Sequence, residues 1–382
     1  MSAMHVVCFQ QHLTHYREAF FQQVKDQLNA KGIAFDLVYG LPDAVALTKK
    51  DSGHLSWAHV VQEKTFRLGI FRGVWLPLSA KMAMPNLVVV TQENKLLANY
   101  AWLIRRMFGG VKVAYWGHGA NFQSDAPAGL RERWKQMLLT KVDWWFAYTQ
   151  MTVDIVAKAG YPLEQITSLN NAIDTASFKR ELAAVPDTDL AVARQELGIK
   201  EGAPIGIFCG SLYPDKKLDF LVAAIDRIHQ ESADFHCIVL GDGPSMPYLR
   251  EAASSRPWLH LMGMTKGAKK ALYFRMADFM LNPGLVGLHV VDAFCAGLVM
   301  ATTSGARHSP EVCYLRNGVN GIMTGDSVEE YAQAILALAK DRERLNQYRA
   351  ASLADADVYT LDNMVAQFVD GIEKCLAKTD AK

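Results

Sequence analysis

Short runs of apolar residues alternate along the chain with longer segments in which apolar positions recur at helical spacing. The run Leu87–Thr91 is apolar almost throughout, as is typical of a strand buried on both faces of a parallel sheet. The pattern predicts strands at 5–9, 35–38, 87–91, 111–116, 144–149 and 166–170, and again at 205–209, 235–240, 259–262, 279–281 and 299–302. Because predicted helices separate these strands, we expect an α/β fold with two doubly wound parallel sheets.

The two α/β regions are separated by Asn170–Asp174 and a polar stretch that contains Pro186, which we interpret as a linker and hinge near 171–186. Two further segments, 66–85 and 102–112, mix aromatic and aliphatic residues with basic ones. Either segment could contact a membrane surface, although for 66–85 we favour a pair of core-packing helices. A helix is also predicted over 127–139.

At 382 residues the chain is long enough for two domains. Its formal net charge of +1 gives no case for a nucleic-acid partner. Residues 1–175 contain 18 basic and 13 acidic side chains, so the first half is basic and the remainder is acidic. This asymmetry fits either an anionic partner of the first half, such as a membrane surface, or compositional scatter.

Six cysteines are scattered without a Cys-x-x-Cys pair, and most lie in apolar runs. This usage argues for a reducing compartment and against a disulfide framework or a zinc site. The N-terminus lacks the charged-then-apolar pattern of a signal peptide, and no apolar run reaches the roughly 18 residues of a membrane span. We therefore expect a cytoplasmic protein.

Four loops in the second half follow predicted strands, where doubly wound folds bind their ligands. They are 210–216, 241–244, 282–292 and 307–311. Gly284 and Gly287 would let backbone N–H groups approach a ligand before a helix N-terminus, which favours phosphate. Lys216 could supply positive charge to phosphate, and Asp292 could accept hydrogen bonds from neutral hydroxyls. Phosphate beside hydroxyls suggests a sugar nucleotide.

In the first half, polar side chains follow two predicted strands. The first group is His12, His15, Tyr16 and Arg17. These could line a site or form an ordinary solvated loop. His118 lies between Gly117 and Gly119, which expose its imidazole at the ligand edge of the sheet, although a structural histidine is the alternative. Phe122 stands where a dinucleotide-binding GxGxxG motif requires its third glycine, so we exclude that reading.

The order of these motifs resembles the retaining GT-B glycosyltransferases of the family 4 type. Gly210-Ser211-Leu212 with Lys216 is similar to the family's Gly-Arg-Leu loop and its lysine, and Gly241–Pro244 is similar to its GxGP turn. The segment 284–297 resembles its Glu-x7-Glu motif and Cys-Ala-Gly turn. Asn171–Asp174 and Trp116–Gly119 resemble its NGID segment and its histidine loop, so the likeness spans about residues 115 to 321.

The resemblance implies two Rossmann-like domains that face a cleft. Residues 1–175 would bind the acceptor and residues 176–357 the nucleotide-sugar donor. The C-terminal helix, about 358–382, would cross back to the first domain.

By position, the resemblance implies that Lys216 binds the donor phosphates, Asp292 the ribose hydroxyls, and His118 the transferred sugar at the reaction centre. The donor-binding residues would be Gly210, Ser211, Lys216, Gly241, Gly243, Pro244, Gly284, Val286, Gly287, Leu288, His289, Asp292, Arg307 and Glu311. The backbone of Val286 to Leu288 would meet phosphate or sugar. The loop that carries His12, His15, Tyr16 and Arg17 would present the acceptor.

Three positions depart from the family pattern. Gly284 replaces the first motif glutamate, which contacts donor-sugar hydroxyls, and Ser211 replaces a phosphate-binding arginine. His289 stands where the family has proline. The loss of a charged phosphate contact would cost roughly 1.5–3 kcal/mol unless Lys217, Lys266 or Arg307 replaces it.

The implied activity is transfer of a sugar, with retention, from a UDP- or GDP-linked donor to a saccharide or lipid-linked acceptor in cell-surface polysaccharide or glycolipid synthesis. Two Asp-x-Asp sequences, 187–189 and 355–357, lie in polar segments outside the strands, so we expect no metal and no other cofactor. Cytoplasmic location, at the inner face of an anionic membrane, would fit the basic segments. The alternatives are a non-catalytic sugar-nucleotide or glycan-binding protein, motivated by Gly284, and an epimerase or inverting transferase of the same fold.

Overall fold

The computed structural model describes residues 4–41, 52–68, 71–78, 82–119, 134 and 137–378. The chain divides into two compact units. Unit 1 contains residues 1–173 and 361–382, and unit 2 contains residues 174–360. The C-terminal helix therefore belongs to the first unit. Most of the predicted helix at 127–139 lies outside the described residues.

Unit 1 is built on a seven-stranded parallel sheet with the order β3-β2-β1-β6-β7-β8-β9. Its strands are β1 (Met4–Gln10), β2 (Ile33–Gly40), β3 (His59–Val61), β6 (Leu87–Thr91), β7 (Lys112–Gly117), β8 (Trp144–Ala147) and β9 (Ile166–Ser168). Its helices are Glu18–Ala30, Leu97–Met107, Gln150–Lys158 and Leu361–Ala377. β1 is central, and Val6, Val7 and Cys8 on it have no exposed surface, which explains its unbroken apolar run.

The C-terminal helix packs on the first helix of unit 1 through apolar side chains. Phe368 lies edge-on to Phe20, with ring centroids 5.3 Å apart, and both rings are fully buried. Lys31 and Glu373 form an ion pair of 3.0 Å at the edge of this contact. The amphipathic pattern of this helix therefore arises from burial against unit 1.

The strands β4 (Lys64–Leu68) and β5 (Phe71–Trp75) pair as an antiparallel hairpin, so the predicted pair of helices in 66–85 is wrong. Phe66 and Val74 belong to opposite strands of the hairpin. Val74 is fully buried, whereas Phe66 is half exposed. Alternation with a period of two explains the mixed apolar and basic composition, because one face of a hairpin is buried and the other is solvated.

Unit 2 has a six-stranded parallel sheet with the order β12-β11-β10-β13-β14-β15. The strands are β10 (Ile205–Cys209), β11 (His236–Leu240), β12 (Leu259–Gly263), β13 (Phe279–Leu281), β14 (Val299–Thr303) and β15 (Gly321–Thr324). Its helices are Thr175–Ala184, Asp187–Glu196, Leu218–Glu231, Met246–Ala253, Gly267–Met276, His289–Cys295, Val328–Lys340 and Arg342–Asp355. Strands are added first on one side of β10 and then on the other, so the switch point lies between β10 and β13. In folds of this kind, ligands bind outside the carboxyl ends of the strands at the switch point.

The stretch that we interpreted as a linker is instead two helices, Thr175–Ala184 and Asp187–Glu196. The first begins at Asp174, whose carboxylate accepts a hydrogen bond from the Ser177 N–H. The second buries only Ala193, and so its sequence lacks the apolar stripe that predicts a helix. The chain crosses between the units at residues 173–174 and again at 360–361.

No helix among the described residues has the length and apolar character needed to cross a membrane.

Candidate donor site

Gly284 packs directly against the loop that follows β10. A Cβ at this position would lie 2.3 Å from the Asp215 carbonyl oxygen and 2.4 Å from the Lys216 carbonyl carbon. The Leu285 N–H donates to the same Asp215 carbonyl at 2.9 Å. The two loops of the switch point are therefore joined through their backbones, and only glycine fits at 284. Its replacement of the family's glutamate is thus tied to the packing of this loop pair.

Lys216 lies at the end of the short 3-10 helix Pro214–Lys216 and is almost completely buried. Its Nζ donates to the Leu285 carbonyl at 2.5 Å. Burial lowers the pKa of Lys216 to about 8, although Cys209 and Asp215 oppose the shift. A desolvated ammonium at the crevice is a strong ligand for phosphate, because little water must be removed when the anion arrives.

Val286 is held from the opposite side by His308. Its N–H donates to His308 Nδ1 at 3.1 Å, and its carbonyl accepts from the Ser309 N–H at 2.9 Å. We predicted that the backbone of Val286 would meet phosphate or sugar, but in this structure both of its polar groups have protein partners. His308 belongs to the predicted loop 307–311, but the sequence analysis assigned it no role there.

Asp292 is buried within the helix that follows the loop, and it forms a 2.9 Å ion pair with Lys270. Burial alone would lower the pKa of Lys270, but the nearby Asp292 and Cys209 raise it overall. The Lys270 ammonium also lies over the ring of Phe178, 4.3 Å from its centroid. Asp292 is thus paired with a lysine that the sequence analysis did not identify.

The turn Gly241–Pro244 lies beside the loop after β10. A Cβ on Gly241 would lie 1.9 Å from the Gly210 carbonyl oxygen, and one on Gly243 would lie 2.7 Å from that of Leu212. Leu212 N–H donates to the Asp242 carbonyl at 3.0 Å. The glycines of this motif therefore allow two backbones to meet, as expected at a switch point. Ser211 is exposed beside them.

The other predicted donor residues surround the same loop. Gly287, Leu288 and His289 are partly buried, Arg307 is exposed and Glu311 is buried. The Nε2 atom of His289 is covered and has no hydrogen-bond partner among the described residues. Burial lowers its pKa, as do Lys216 and Lys270, so the imidazole is neutral at pH 7. The predicted donor residues therefore lie in the loops that follow the strands of unit 2 and at the start of the helix His289–Cys295.

Arg17 is buried in unit 1, in contrast to the solvated loop residue that the sequence suggests. Its guanidinium donates to the Asn171 side chain and, at 3.3 Å, to the sulfur of Met364. Four aromatic rings surround it at 5.2–5.9 Å, namely those of Tyr16, Phe20, Trp116 and Tyr148. We therefore interpret Arg17 as a structural cation and not as an acceptor contact.

His118 follows β7 and stacks on Tyr148, with ring centroids 4.2 Å apart and an interplanar angle of 22°. Gly119 has the left-handed φ of 73°, and a Cβ there would lie 3.2 Å from Ile155. The glycine therefore turns the chain against the helix Gln150–Lys158 and leaves the imidazole half-buried at the sheet edge.

The remaining predicted acceptor residues lie in the loop after β1. His15 and Tyr16 are exposed and His12 is partly buried. The rings of His15 and Tyr16 meet edge to face, 6.1 Å apart. These residues are placed to contact a ligand at the carboxyl edge of the unit 1 sheet.

No group of three or more metal-ligating side chains was found within the described residues. Asp187 instead forms an ion pair with Arg275 at 3.0 Å, and Asp357 with Lys179 at 2.6 Å. Both predicted Asp-x-Asp sequences therefore contribute ordinary surface ion pairs.

Residues 203–341, which cover most of unit 2, match the family described as glycosyl transferases group 1. The chain is 25% identical over 158 residues to the alpha-monoglucosyldiacylglycerol synthase of Acholeplasma laidlawii, a match that covers 40% of the chain and 39% of that protein. It is 24% identical over 271 residues to the D-inositol 3-phosphate glycosyltransferase of Nocardia farcinica, covering 67% of the chain and 58% of that protein. The matches thus span from about two fifths to three fifths of these relatives.

Among solved structures, the Anabaena protein Alr3699/HepE in complex with UDP is similar over 97% of this chain and 100% of its own, with a TM-score of 0.69 and 16% identity. This likeness shows that both chains share a fold with two Rossmann-like units. The family match falls on the loops that carry the candidate donor residues of unit 2. Residues 203–341 therefore match the glycosyl transferases group 1 family, and the chain as a whole has the GT-B fold.

Proposed function

We propose that the protein transfers a sugar from a nucleotide-sugar donor to a saccharide or lipid-linked acceptor, with retention of the anomeric configuration. The observation that carries the proposal is the crevice of unit 2, where the buried Lys216 ammonium and the Asp292 carboxylate flank one glycine-lined loop. A cation for diphosphate and an anion for sugar hydroxyls are the two partners that a nucleotide sugar needs.

In the proposed reaction, the bond between the anomeric carbon and the donor phosphate breaks while Lys216 stabilises the charge that develops on the diphosphate. The acceptor hydroxyl attacks from the same face, and its proton passes to the departing phosphate oxygen. A new glycosidic bond and a nucleoside diphosphate result. His118 remains a predicted contact of the transferred sugar.

For the donor we favour a UDP-linked sugar over a GDP-linked one. The similar Anabaena protein binds UDP, and that fold likeness supports testing uridine first. We also propose that transfer needs no metal, because Lys216 and the loop amides would meet the charge of the leaving group. Loss of activity in EDTA, with recovery on adding Mg²⁺ or Mn²⁺, would contradict this part of the proposal.

A donor panel tests the proposal directly. Thermal unfolding is measured with UDP, GDP, ADP and CMP derivatives, because a ligand at about 100 times its Kd adds about 2.7 kcal/mol of stability. The donor that stabilises the protein is then incubated with saccharide and lipid acceptors, and the product's anomeric configuration is determined by NMR. A retained configuration supports the proposal. Binding without turnover supports a binding protein, and an inverted or epimerised product supports another GT-B enzyme.

We further propose that unit 1 contacts an anionic membrane through the end of the helix Leu97–Met107, within the predicted segment 102–112. Met107 is 79% exposed and Phe108 is 86% exposed. The exposed Arg105 beside them forms no ion pair within the described part of the chain, whereas Arg106 is bound to Asp143. Exposed apolar tips beside a basic side chain fit the interface of an anionic bilayer. Such contact would place the protein at the cytoplasmic face of the membrane.

Flotation with vesicles tests this surface. We expect the protein to float with anionic vesicles and not with neutral ones, and Met107→Ser with Phe108→Ser to reduce the bound fraction about tenfold. Met264→Ser is the matched control, since Met264 is 66% exposed but lies in unit 2. Absence of flotation by the unsubstituted protein would overturn the proposal.

A further inference from the structure

One peptide group in the donor loop is held from both sides. The carbonyl of Leu285 accepts from Lys216 Nζ at 2.5 Å, and the N–H of the same peptide group, on Val286, donates to His308 Nδ1 at 3.1 Å. The other ring nitrogen of His308, Nε2, lies 2.7 Å from the Thr303 carbonyl at the end of β14. His308 thus connects the donor loop to the sheet.

These partners fix the protonation of the ring. A backbone N–H can only donate, so Nδ1 must accept, and a carbonyl can only accept, so Nε2 must carry the hydrogen. His308 therefore serves this connection only as a neutral imidazole with hydrogen on Nε2. A second proton would place an N–H group of the ring against the N–H of Val286 and break that bond.

We propose that His308 is a positioning residue of the donor site, which holds the Leu285–Val286 peptide group in the orientation that keeps Lys216 at the crevice. This inference rests on the proposed function, because it concerns how the same loop receives the donor. His308 itself need not touch the donor. Its effect would pass through the peptide group that it shares with Lys216.

The proposal implies that acid weakens donor binding. Burial lowers the pKa of His308, Lys217 and Lys216 lower it further, and the Thr303 carbonyl and Asp326 oppose them. His289 is a further neighbouring titratable group. Because the folded pKa lies below the ordinary value of about 6.5, binding should be complete above that pH and fall as the pH drops through the folded pKa.

Two amide substitutions distinguish the two hydrogen bonds that the His308 ring forms, one with Val286 and one with Thr303. The oxygen of His308→Asn can take the place of Nδ1 and accept from Val286, whereas the amide of His308→Gln can take the place of Nε2 and donate to Thr303. We expect donor affinity within about twofold of the original for H308N and about fivefold weaker for H308Q and H308A, since only H308N keeps the bond to the loop. Equal affinities for H308N and H308Q would overturn the proposal.

The pH dependence of donor affinity distinguishes this role of His308 from a purely structural one. Affinity for a UDP-sugar is measured from about pH 7.5 to about pH 5, because this donor has no terminal phosphate to titrate in that range. We expect donor affinity to fall at acid pH in the unsubstituted protein and in His289→Asn, but not in H308N. If this fall persists in H308N, or disappears in H289N, the proposal is wrong.

Ring-nitrogen NMR of the unliganded protein tests the geometry without any donor. Hydrogen on Nε2 of His308 supports the proposal, and hydrogen on Nδ1 overturns it. If the unsubstituted protein binds none of the nucleotide sugars, the proposed function fails and the inference about donor positioning fails with it. If the unsubstituted protein binds a nucleotide sugar and the His308 variants bind it with the same affinity, the positioning role of His308 is rejected and the proposed function stands.

Discussion

The loops at the carboxyl ends of the two parallel sheets are held by different kinds of contact. In unit 1, aromatic rings surround the Arg17 guanidinium, and His118 lies on the ring of Tyr148. In unit 2, hydrogen bonds join backbone to backbone and backbone to Lys216 and His308. Both edges belong to parallel sheets of similar design, so the difference arises from their loops.

The two kinds of contact differ in how precisely they position the loop atoms. Hydrogen bonds to individual peptide groups specify the position of every loop atom, which suits a site that must match a diphosphate. Ring contacts around a cation are less directional and leave His15 and Tyr16 exposed beside them. We infer that unit 2 is preorganised for one class of donor, whereas unit 1 permits its acceptor loop to vary.

The largest expected effect comes from the contact that joins the two loops of unit 2. In Gly284→Ala the new Cβ would overlap backbone atoms of Asp215 and Lys216, which cannot move as a flexible side chain can. We expect a loss of about 3 kcal/mol in the free energy of unfolding of unit 2, measured by urea denaturation, together with loss of donor binding.

Gly287→Ala is the matched control in the same loop. The nearest atom to its new Cβ would be Ser309 Oγ at 3.9 Å, and so the side chain fits without displacement. We expect its stability to change by less than about 0.5 kcal/mol. A stable G284A variant with normal donor affinity would show that the edge of unit 2 is more adaptable than its contacts indicate.

Much of the fold could be predicted from the sequence because parallel strands leave continuous apolar runs. The strands 205–209 and 279–281 were predicted with their observed bounds. The helices at 175–184 and 187–196 were missed, since one is mostly exposed and both follow a polar stretch. The hairpin at 64–75 was missed because its exposed Phe66 obscures the alternation.

The candidate site could be located but not assembled from the sequence. Glycine-bearing loops after strands placed Lys216 and Asp292 correctly at the edge of one sheet. The contacts that hold the site could not be predicted, because Lys270, the partner of Asp292, and His308, the partner of the Val286 N–H, come from other elements and are brought in only by the fold. Arg17 was predicted to contact the acceptor or to lie in a solvated loop, because charged residues are rarely buried, whereas here the aromatic rings and Asn171 enclose it.

The ring-enclosed edge of unit 1 is tested by Arg17→Ala. We expect unit 1 to lose about 2 kcal/mol of stability, because the deleted side chain leaves a cavity among four rings and removes hydrogen bonds to Asn171 and Met364. Thermal unfolding followed by tryptophan fluorescence reports this loss, since Trp116 lies 5.5 Å from the guanidinium.

Arg17→Met and His15→Ala complete this comparison. Arg17→Met should be more stable than R17A, because its side chain fills most of the cavity that alanine leaves. His15→Ala should leave stability unchanged, since His15 is exposed. If R17A raised the KM for acceptor without loss of stability, Arg17 would be an acceptor contact after all.

The effect with the narrowest range concerns the charge of Lys216 and is confined to alkaline pH. Because burial lowers the pKa of Lys216 to about 8, the ammonium loses its proton in the folded, unliganded protein at a pH where an exposed lysine stays charged. We expect donor affinity, measured by calorimetry, to fall about tenfold for each pH unit above 8.

The stability of the unliganded protein should rise from pH 8 towards 10.5, because the unfolded state binds the additional proton in that window. Lys216→Arg keeps its charge at these pH values, so its affinity should be independent of pH, whereas Lys216→Met should bind weakly throughout. A donor affinity that stays constant in the unsubstituted protein up to pH 10 would show that Lys216 does not carry the charge that binds phosphate.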